Sequence, residues 1–117
     1  MTAKELGKAG EYRAMEYLDK RGYEILEKNF KCRYGEVDLI AATGGTICFI
    51  EVKTRSSLRH GLPAEAVGPG KLRHIIRCSQ AYLGRNHRQW QAVRIDVIEV
   101  LYMKGRYFVR HLKNVSF

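Results

Sequence analysis

The sequence has few cysteines, and none of them is spaced as a paired site would require. Cys32, Cys48 and Cys78 are odd in number and widely separated, and no C-x-x-C pattern occurs. This usage argues against a disulfide framework and predicts a protein of the reducing cytoplasm. The four histidines are scattered without metal-ligand spacing, which argues against a zinc site.

Long apolar runs are absent as well. No stretch approaches the length that crosses a bilayer, and the first residues lack the apolar core of a signal peptide. We therefore expect no membrane association. Internal repeats, low-complexity tracts and linkers are also missing. A chain of 117 residues, 45% apolar, can bury one core but has little room for a second, so we expect a single domain over residues 1–117.

Negative charge is scarce, with 12 acidic residues against 21 Lys and Arg and a net charge of +9. The basic residues are spread through predicted loops and helices and are not confined to a tail. A folded domain this basic favours polyanionic partners, with nucleic acid first among them. The alternative is a basic protein whose charge serves only solubility.

Helix and strand signals alternate along the chain. Thr2 and Glu5 form a capping box and Gly22 a stop signal, which predicts a first helix over Ala3 to Arg21. A second helix is predicted over Lys71 to Leu83, after a long loop rich in Gly, Pro and Ser. Strand patterns fall in YEILEKNFK, on both sides of Gly44-Gly45, and in QAVRIDVIEVL and RYFVRHL. The order α-β-β-β-α-β-β predicts an α/β fold, a single three-layer domain with a central mixed β-sheet flanked by helices.

The hairpin GEVDLIAATGGTICFIEVKTR carries charged residues among apolar ones. Gly44-Gly45 suits a two-residue type I′ turn, because both central residues of that turn need positive φ. Counting back from this turn predicts four opposed pairs on one face: Ala42 with Ile47, Ile40 with Phe49, Asp38 with Glu51, and Glu36 with Lys53. The opposite face is then uniformly apolar and expected to lie against a helix; it carries Val37, Leu39, Ala41, Cys48, Ile50 and Val52.

Directly opposed carboxylates repel each other, so the predicted pairing of Asp38 with Glu51 needs an explanation. The pair persists if one member is protonated or if a cation lies between them, and oxygen ligands suit Mg²⁺ or Mn²⁺. Lys53 projects to the same side, where it could stabilise charge on a phosphate or activate water. A structural salt bridge between Glu36 and Lys53 is the alternative, and the spacing does not decide between them.

An Asp at the end of one strand followed by Glu-x-Lys on the next resembles the signature of the PD-(D/E)xK nucleases, which have the restriction-endonuclease-like fold. Here it reads Val37-Asp38 and then Glu51-Val52-Lys53, with Val37 in place of the proline. More specifically, the chain resembles the YraN-like bacterial family. That family carries G-x-x-G-E on the first helix, G-E-[IV]-D-L-I and F-[IV]-E-V-K-T-R, and the similarity runs nearly end to end.

This resemblance implies a fourth active-site residue. By sequence alone Glu11 reads as an ordinary glutamate at the edge of the apolar stripe of the first helix. Members of the family, however, are regarded as predicted endonucleases related to archaeal Holliday junction resolvases, which place a helix-one glutamate beside the other three residues. The resemblance thus implies Asp38, Glu51, Lys53 and Glu11 as catalytic residues. It implies Mg²⁺, with Mn²⁺ as a substitute, held by Asp38, Glu51, the Val52 carbonyl and Glu11 through water.

The expected function is metal-dependent hydrolysis of DNA phosphodiester bonds, on branched or junction DNA in repair or recombination. Junction-cleaving relatives act as dimers because a four-way junction presents two symmetric cuts, so a homodimer is part of the expectation. A non-catalytic nucleic-acid-binding module with the same fold is the alternative. Glu36 is expected to support the site or to pair with Lys53. The side chains expected to contact DNA phosphates are Arg55, Arg59, Lys71, Arg73 and Arg77.

Overall fold

A computed structural model describes residues 2–56, 68–86 and 88–115 of the chain. Its elements are α1 (Ala3–Lys20), β1 (Glu24–Cys32), β2 (Gly35–Thr43), β3 (Thr46–Arg55), α2 (Pro69–Arg85), β4 (Ala92–Met103) and β5 (Arg106–Leu112). The sheet has the order β1-β2-β3-β4-β5, in which β3 and β4 are parallel and the other neighbours antiparallel. The predicted α/β class, mixed sheet and element order are confirmed. No helix of the described residues is long and apolar enough to span a membrane.

Helix α1 covers one face of the sheet and begins where the capping box predicts. The Thr2 hydroxyl accepts from the Glu5 amide, and the Glu5 carboxylate accepts from the Thr2 amide. Gly10, Ala14 and Leu18 are its buried residues. A Cβ placed on Gly10 would collide with the Thr54 side chain on β3, so only glycine permits this approach. The close packing fixes the height of Glu11, the next residue, over the sheet.

Gly10→Ala is expected to lower the free energy of unfolding by about 1–3 kcal/mol, the usual cost of adding a methyl group to a packed site. Gly7 is the matched control, because a Cβ there meets nothing within 4 Å. Gly7→Ala should stabilise the helix by about 0.5–1 kcal/mol through its better helix propensity. Urea unfolding of both variants measures the difference, and equal effects of the same sign would show that Gly10 is not packed against β3.

Helix α2 covers the other face, so the molecule has three layers. It begins at Pro69 and ends at Arg85, slightly beyond both predicted ends. Its buried residues include Leu72, Ile75, Cys78 and Tyr82, whereas Ile76 and Leu83 are half-buried. The core on this side contains Val37, Ile40, Ile47, Phe49, Ile75, Cys78 and Tyr82. The core under α1 contains Ala14, Leu18, Tyr23, Leu39, Ala41, Cys48, Ile50, Ile98 and Val100.

The sheet splits between β2 and β3. Their ladder follows the predicted register from Thr43 and Thr46 as far as Leu39 and Ile50. Beyond that point β2 stays paired only with β1, while β3 continues beside β4 to Arg55. The sequence-based expectation that Asp38 with Glu51 and Glu36 with Lys53 continue the ladder is therefore wrong. In the structure Glu36 lies opposite Lys31 of β1, and Lys53 lies beside Glu99 of β4.

The apolar face of the hairpin is also shorter than predicted. Val37 lies in the core under α2, whereas Leu39 lies in the core under α1. The simple alternation of side chains thus breaks at Asp38, between them. At this point Asp38 Oδ2 accepts a hydrogen bond from the Val52 amide at 2.8 Å, taking the place of a backbone acceptor on β2.

A second acidic residue in the interior, Asp96, is held as part of the core. It is fully buried and accepts hydrogen bonds from Arg94, from His111 Nε2 at 2.7 Å and from the Asn114 amide. Burial alone would raise the pKa of Asp96, but the hydrogen bonds from His111 and Arg94 lower it overall. Through the hydrogen bonds from His111 and Asn114, Asp96 of β4 holds β5 and the residues that follow it in place.

Candidate active site at the split between β2 and β3

Asp38 and Glu51 meet where the two strands separate. Glu51 is buried, with 6% of its surface exposed, and Asp38 is half-buried. Burial raises the pKa of Asp38 to about 7, and a hydrogen bond to the Glu51 carboxyl and its charge add to the effect. Asp38 and Glu51 are thus close together, as the sequence predicted. They approach through their side chains at the split and are not a pair of the β2–β3 ladder.

Lys71 of α2 is part of this cluster. Its Nζ lies 3.1 Å from Glu51 Oε2, and its side chain remains 41% exposed. Burial lowers the pKa of Lys71, but the Glu51 charge and hydrogen bond raise it overall. The sequence analysis placed Lys71 among the DNA-contacting residues of the outer surface. The structure brings it to the carboxylates, where its charge offsets part of their repulsion.

Glu11 approaches Asp38 from the α1 side of the sheet. Burial raises its pKa, as does the negative charge of Asp38, while a hydrogen bond from Asn29 opposes the shift. Asn29 has a positive φ of 50° within β1, a conformation that few residues other than Gly, Asn and Asp adopt readily. The charge of Glu36 also raises the pKa of Glu11. Carboxylates from α1, β2 and β3 therefore surround the split.

Lys53 lies two residues beyond Glu51 on β3 and is half-buried. It makes no hydrogen bond or ion pair with the other described side chains, and its backbone pairs with Glu99. Strand alternation points it to the same face as Glu51. The preceding residue, Val52, directs its side chain to the α1 core and donates its amide hydrogen to Asp38.

Arg55 of β3 and Glu99 of β4 form a buried ion pair between these neighbouring strands. Arg55 Nε lies 3.1 Å from Glu99 Oε2, and the two side chains are 9% and 2% exposed. Arg55 was predicted to contact DNA, and its burial leaves little of the guanidinium for that role. Glu99 was missed by the sequence analysis. The signal was its position in IDVIEVL, where a charged residue lies within a strand buried on both faces.

The remaining predicted DNA contacts are distributed along α2. Arg73 and Arg77 are exposed, and the Arg77 guanidinium carbon lies 5.4 Å from the centre of the Tyr34 ring. Arg59 lies outside the described residues. Arg73 and Arg77 therefore stay available at the surface of α2, two and six residues after Lys71.

The donors around the split are compatible with Mg²⁺. Within residues 2–56, 68–86 and 88–115 no group of three or more His, Cys, Asp or Glu side chains is close enough to hold a metal ion. Mg²⁺ does not need such a cage, because it commonly binds one or two carboxylates and takes its other ligands from water and substrate phosphates. Asp38 and Glu51 supply two carboxylates in contact, and their oxygen-only chemistry matches this ion.

The three layers, the five-stranded mixed sheet and the order α-β-β-β-α-β-β define a single α/β domain consistent with a restriction-endonuclease-like fold. A family model matches residues 10–100 of the chain. The chain belongs to that family, the uncharacterised protein family UPF0102, which confirms the YraN-like resemblance. The matched residues include Glu11, Asp38, Glu51 and Lys53.

Individual relatives cover most of the chain. A UPF0102 protein of Caldicellulosiruptor saccharolyticus is 49% identical over 100 residues, which are 86% of this chain and 85% of the relative. One from Caldanaerobacter subterraneus subsp. tengcongensis is 51% identical over 86% of this chain and 82% of its own. One from Mycolicibacterium vanbaalenii is 44% identical over 96% of this chain and 93% of its own. The family assignment thus extends over nearly the whole sequence.

Proposed function

We propose that the protein is a metal-dependent endonuclease that hydrolyses DNA phosphodiester bonds, with branched or junction DNA as its expected substrate. The observation that carries the proposal is the position of two acidic side chains at the split of the sheet, where burial and the Glu51 carboxyl raise the pKa of Asp38. Two neighbouring carboxylates destabilise a fold because their charges repel each other. Strongly perturbed pKa values of this kind cluster at functional sites. Lys71 of α2 lies beside Glu51, and Arg73 and Arg77 are exposed further along the same helix.

Asp38 and Glu51, together with the Val52 carbonyl and with Glu11 through water, would hold Mg²⁺. When bound, this ion would supply Lewis-acid polarisation of the phosphate and a lower pKa for the attacking water. Asp38, whose pKa is raised to about 7, must lose its proton for this role. Glu11 would accept a hydrogen bond from the attacking water, and Asn29 orients its carboxylate.

Lysines supply positive charge on the side of the site that faces α2. Lys53 would donate a hydrogen bond to a phosphate oxygen and stabilise the charge that develops there in the transition state. Lys71 is already attracted to Glu51 and lies where the substrate backbone would approach. Binding affinity would come mainly from phosphate contacts by such cations, so it does not depend on the metal carboxylates.

A cleavage panel tests the proposal. Linear, supercoiled, flapped and four-way junction DNA are incubated with the protein in Mg²⁺, in Mn²⁺ or in EDTA, beside an Asp38→Ala variant purified in parallel. We expect cleavage of at least one substrate with either metal, none in EDTA, and loss of cleavage in Asp38→Ala. Failure to cut any substrate, or equal cutting by Asp38→Ala, would contradict the assignment.

A non-catalytic DNA-binding module is the second candidate, and one observation favours it. The ion pair of Lys71 with Glu51 already offsets part of the site's negative charge. Such a module would bind DNA equally well in EDTA and take up no Mn²⁺ at the carboxylates. Calorimetric titration with Mn²⁺ at pH 8, compared between the natural protein and Glu51→Gln, separates the two candidates.

A further inference from the structure

We propose that Arg33, Tyr34 and Arg77, here called the Tyr34 clamp, bind the phosphate backbone of a DNA strand that runs along α2 away from the carboxylate site. This inference rests on the proposed function for the identity of the polymer and adds a substrate-positioning surface to it. Arg33 and Tyr34 form the turn between β1 and β2, while Arg77 comes from α2. The surface is therefore assembled from two separate parts of the fold.

The geometry of the clamp holds two guanidinium groups in place. The guanidinium carbon of Arg33 lies 5.1 Å from the centre of the Tyr34 ring, and that of Arg77 lies 5.4 Å from it. Both distances are within the range of a cation–π contact. The tyrosine is half-buried against the α2 core, and its amide donates to Cys32 Sγ at 3.3 Å. The ring is thus a fixed support for two otherwise flexible side chains.

The shape and charge of the clamp suit a polyanion. A shallow concave surface is lined by Arg33, Tyr34, Arg77, Gln80 and Ala81, with no carboxylate among these described residues. A guanidinium presents several N–H donors in a fixed fork, and its edge stays available when its face packs on a ring. Because the two arginines are ordered before binding, less side-chain entropy is lost when they contact phosphates.

The position of the clamp relates it to the carboxylates. Arg77 follows Lys71 by six residues on α2, which is about 9 Å along the helix axis. Tyr34 precedes Asp38 by four residues along the chain, which is about 13 Å if extended. One strand of B-form DNA carries a phosphate about every 3.4 Å of helix axis, so the clamp would meet it about three phosphates from the scissile bond.

Salt dependence of binding tests the clamp without any cleavage. Fluorescence anisotropy in EDTA measures the affinity of the full chain for a labelled duplex across a series of salt concentrations. Each lost phosphate contact lowers the slope of log K against log salt by about 0.9, so Arg33→Gln with Arg77→Gln should lower it by about 1.8. The control is Arg106→Gln with Arg110→Gln, which removes the same charge from exposed positions on β5 at the opposite edge of the sheet.

Two further variants test the role of the ring. Tyr34→Phe keeps an aromatic face and should bind the duplex within about 2-fold of the natural protein. Tyr34→Leu removes the support and should weaken binding by about 2- to 5-fold, the size of an exposed cation–π contact. Circular dichroism spectra and thermal unfolding of both variants would show that the fold is retained. Equal loss in Tyr34→Phe and Tyr34→Leu would overturn the role of the ring.

Other outcomes are also decisive. If the control pair lowers the salt slope as much as the clamp pair does, binding is diffuse and the clamp is overturned. If Tyr34→Leu weakens binding of single-stranded DNA while the slope of the clamp pair stays unchanged, the ring stacks on bases and the phosphate assignment is wrong. A slope loss specific to the clamp, in a protein that cleaves no DNA, would support the clamp and contradict the proposed nuclease.

Discussion

Glu51→Gln is expected to lower the rate of magnesium-dependent DNA cleavage on the order of 10³-fold. The change keeps the size of the side chain and removes one of two carboxylates that would bind the metal, whose polarisation of a phosphate supplies several kcal/mol. Affinity for DNA in EDTA should change by less than about 2-fold, because cations on α2 and elsewhere supply it. Single-turnover cleavage and anisotropy measure the two quantities separately.

A carboxylate outside the site provides the control. Glu16 on α1 pairs with Arg13 at 3.1 Å and is 32% exposed, so Glu16→Gln removes the same charge with no expected effect on cleavage. Equal rates for Glu51→Gln and the natural protein would exclude a catalytic role for the pair. A parallel loss of DNA affinity in Glu51→Gln would indicate that Lys71, once released from its partner, had rearranged the binding surface.

Asp38→Asn is expected to stabilise the metal-free protein by about 2 kcal/mol at pH 8. Burial and Glu51 raise the pKa of Asp38 to about 7 from 3.8, so ionising it in the folded state is costly. A full shift of this size corresponds to roughly 4 kcal/mol, and we expect less because Asp38 is only half-buried and water screens part of the penalty. An asparagine amide can donate to Glu51 and still accept from Val52, so both contacts survive.

The effect of pH follows from the direction of the shift. Between about pH 4 and 7 the folded protein holds a proton on Asp38 that the unfolded chain has released, so the free energy of unfolding falls as pH rises. Stability from this group is complete below about pH 4 and lost above about pH 7. Urea unfolding from pH 4 to 8 should show this decline in the natural protein and less of it in Asp38→Asn.

Asp19→Asn is the matched control for this experiment, because Asp19 is exposed near the end of α1. It should keep the decline with pH and change stability by less than about 0.5 kcal/mol. If Asp38→Asn is less stable than the natural protein at pH 8, the carboxylates do not repel each other. A group that lowers the stability of the empty fold is typical of a site retained for function.

Several features of the fold and the site were predictable because they depend on local chemistry. Gly44-Gly45 sets the turn, and the turn sets the register that the structure confirms from Thr43 to Leu39. The capping box sets the start of α1. The spacing of apolar residues, with a period of 2 in strands and 3.6 in helices, distinguished the two kinds of element. The order of the elements was sufficient to predict a mixed sheet. The closeness of Asp38 and Glu51 was predicted as well, although the ladder from which it was derived ends at Leu39 and Ile50.

The tertiary structure changed how those carboxylates meet. In an isolated hairpin, the ladder would continue through Asp38 and Glu51. In the folded chain β2 follows β1 while β3 follows β4, and the two diverge where the Asp38 side chain takes the Val52 amide. The pairing of β2 with β1 and of β3 with β4 depends on segments outside the hairpin, so the hairpin sequence alone does not predict it.

Long-range packing also determined which charged residues belong to the site. Lys71 and Arg55 had similar status in the sequence as basic residues near the motif. Helix α2 carries Lys71 to Glu51, and β4 brings Glu99 to Arg55, so one cation enters the site and the other is buried beside it. The sequence by itself determined the elements, the turn and the acidic residues, because these arise from neighbours along the chain. Only the tertiary structure decided their partners, because those come from distant segments that meet on folding.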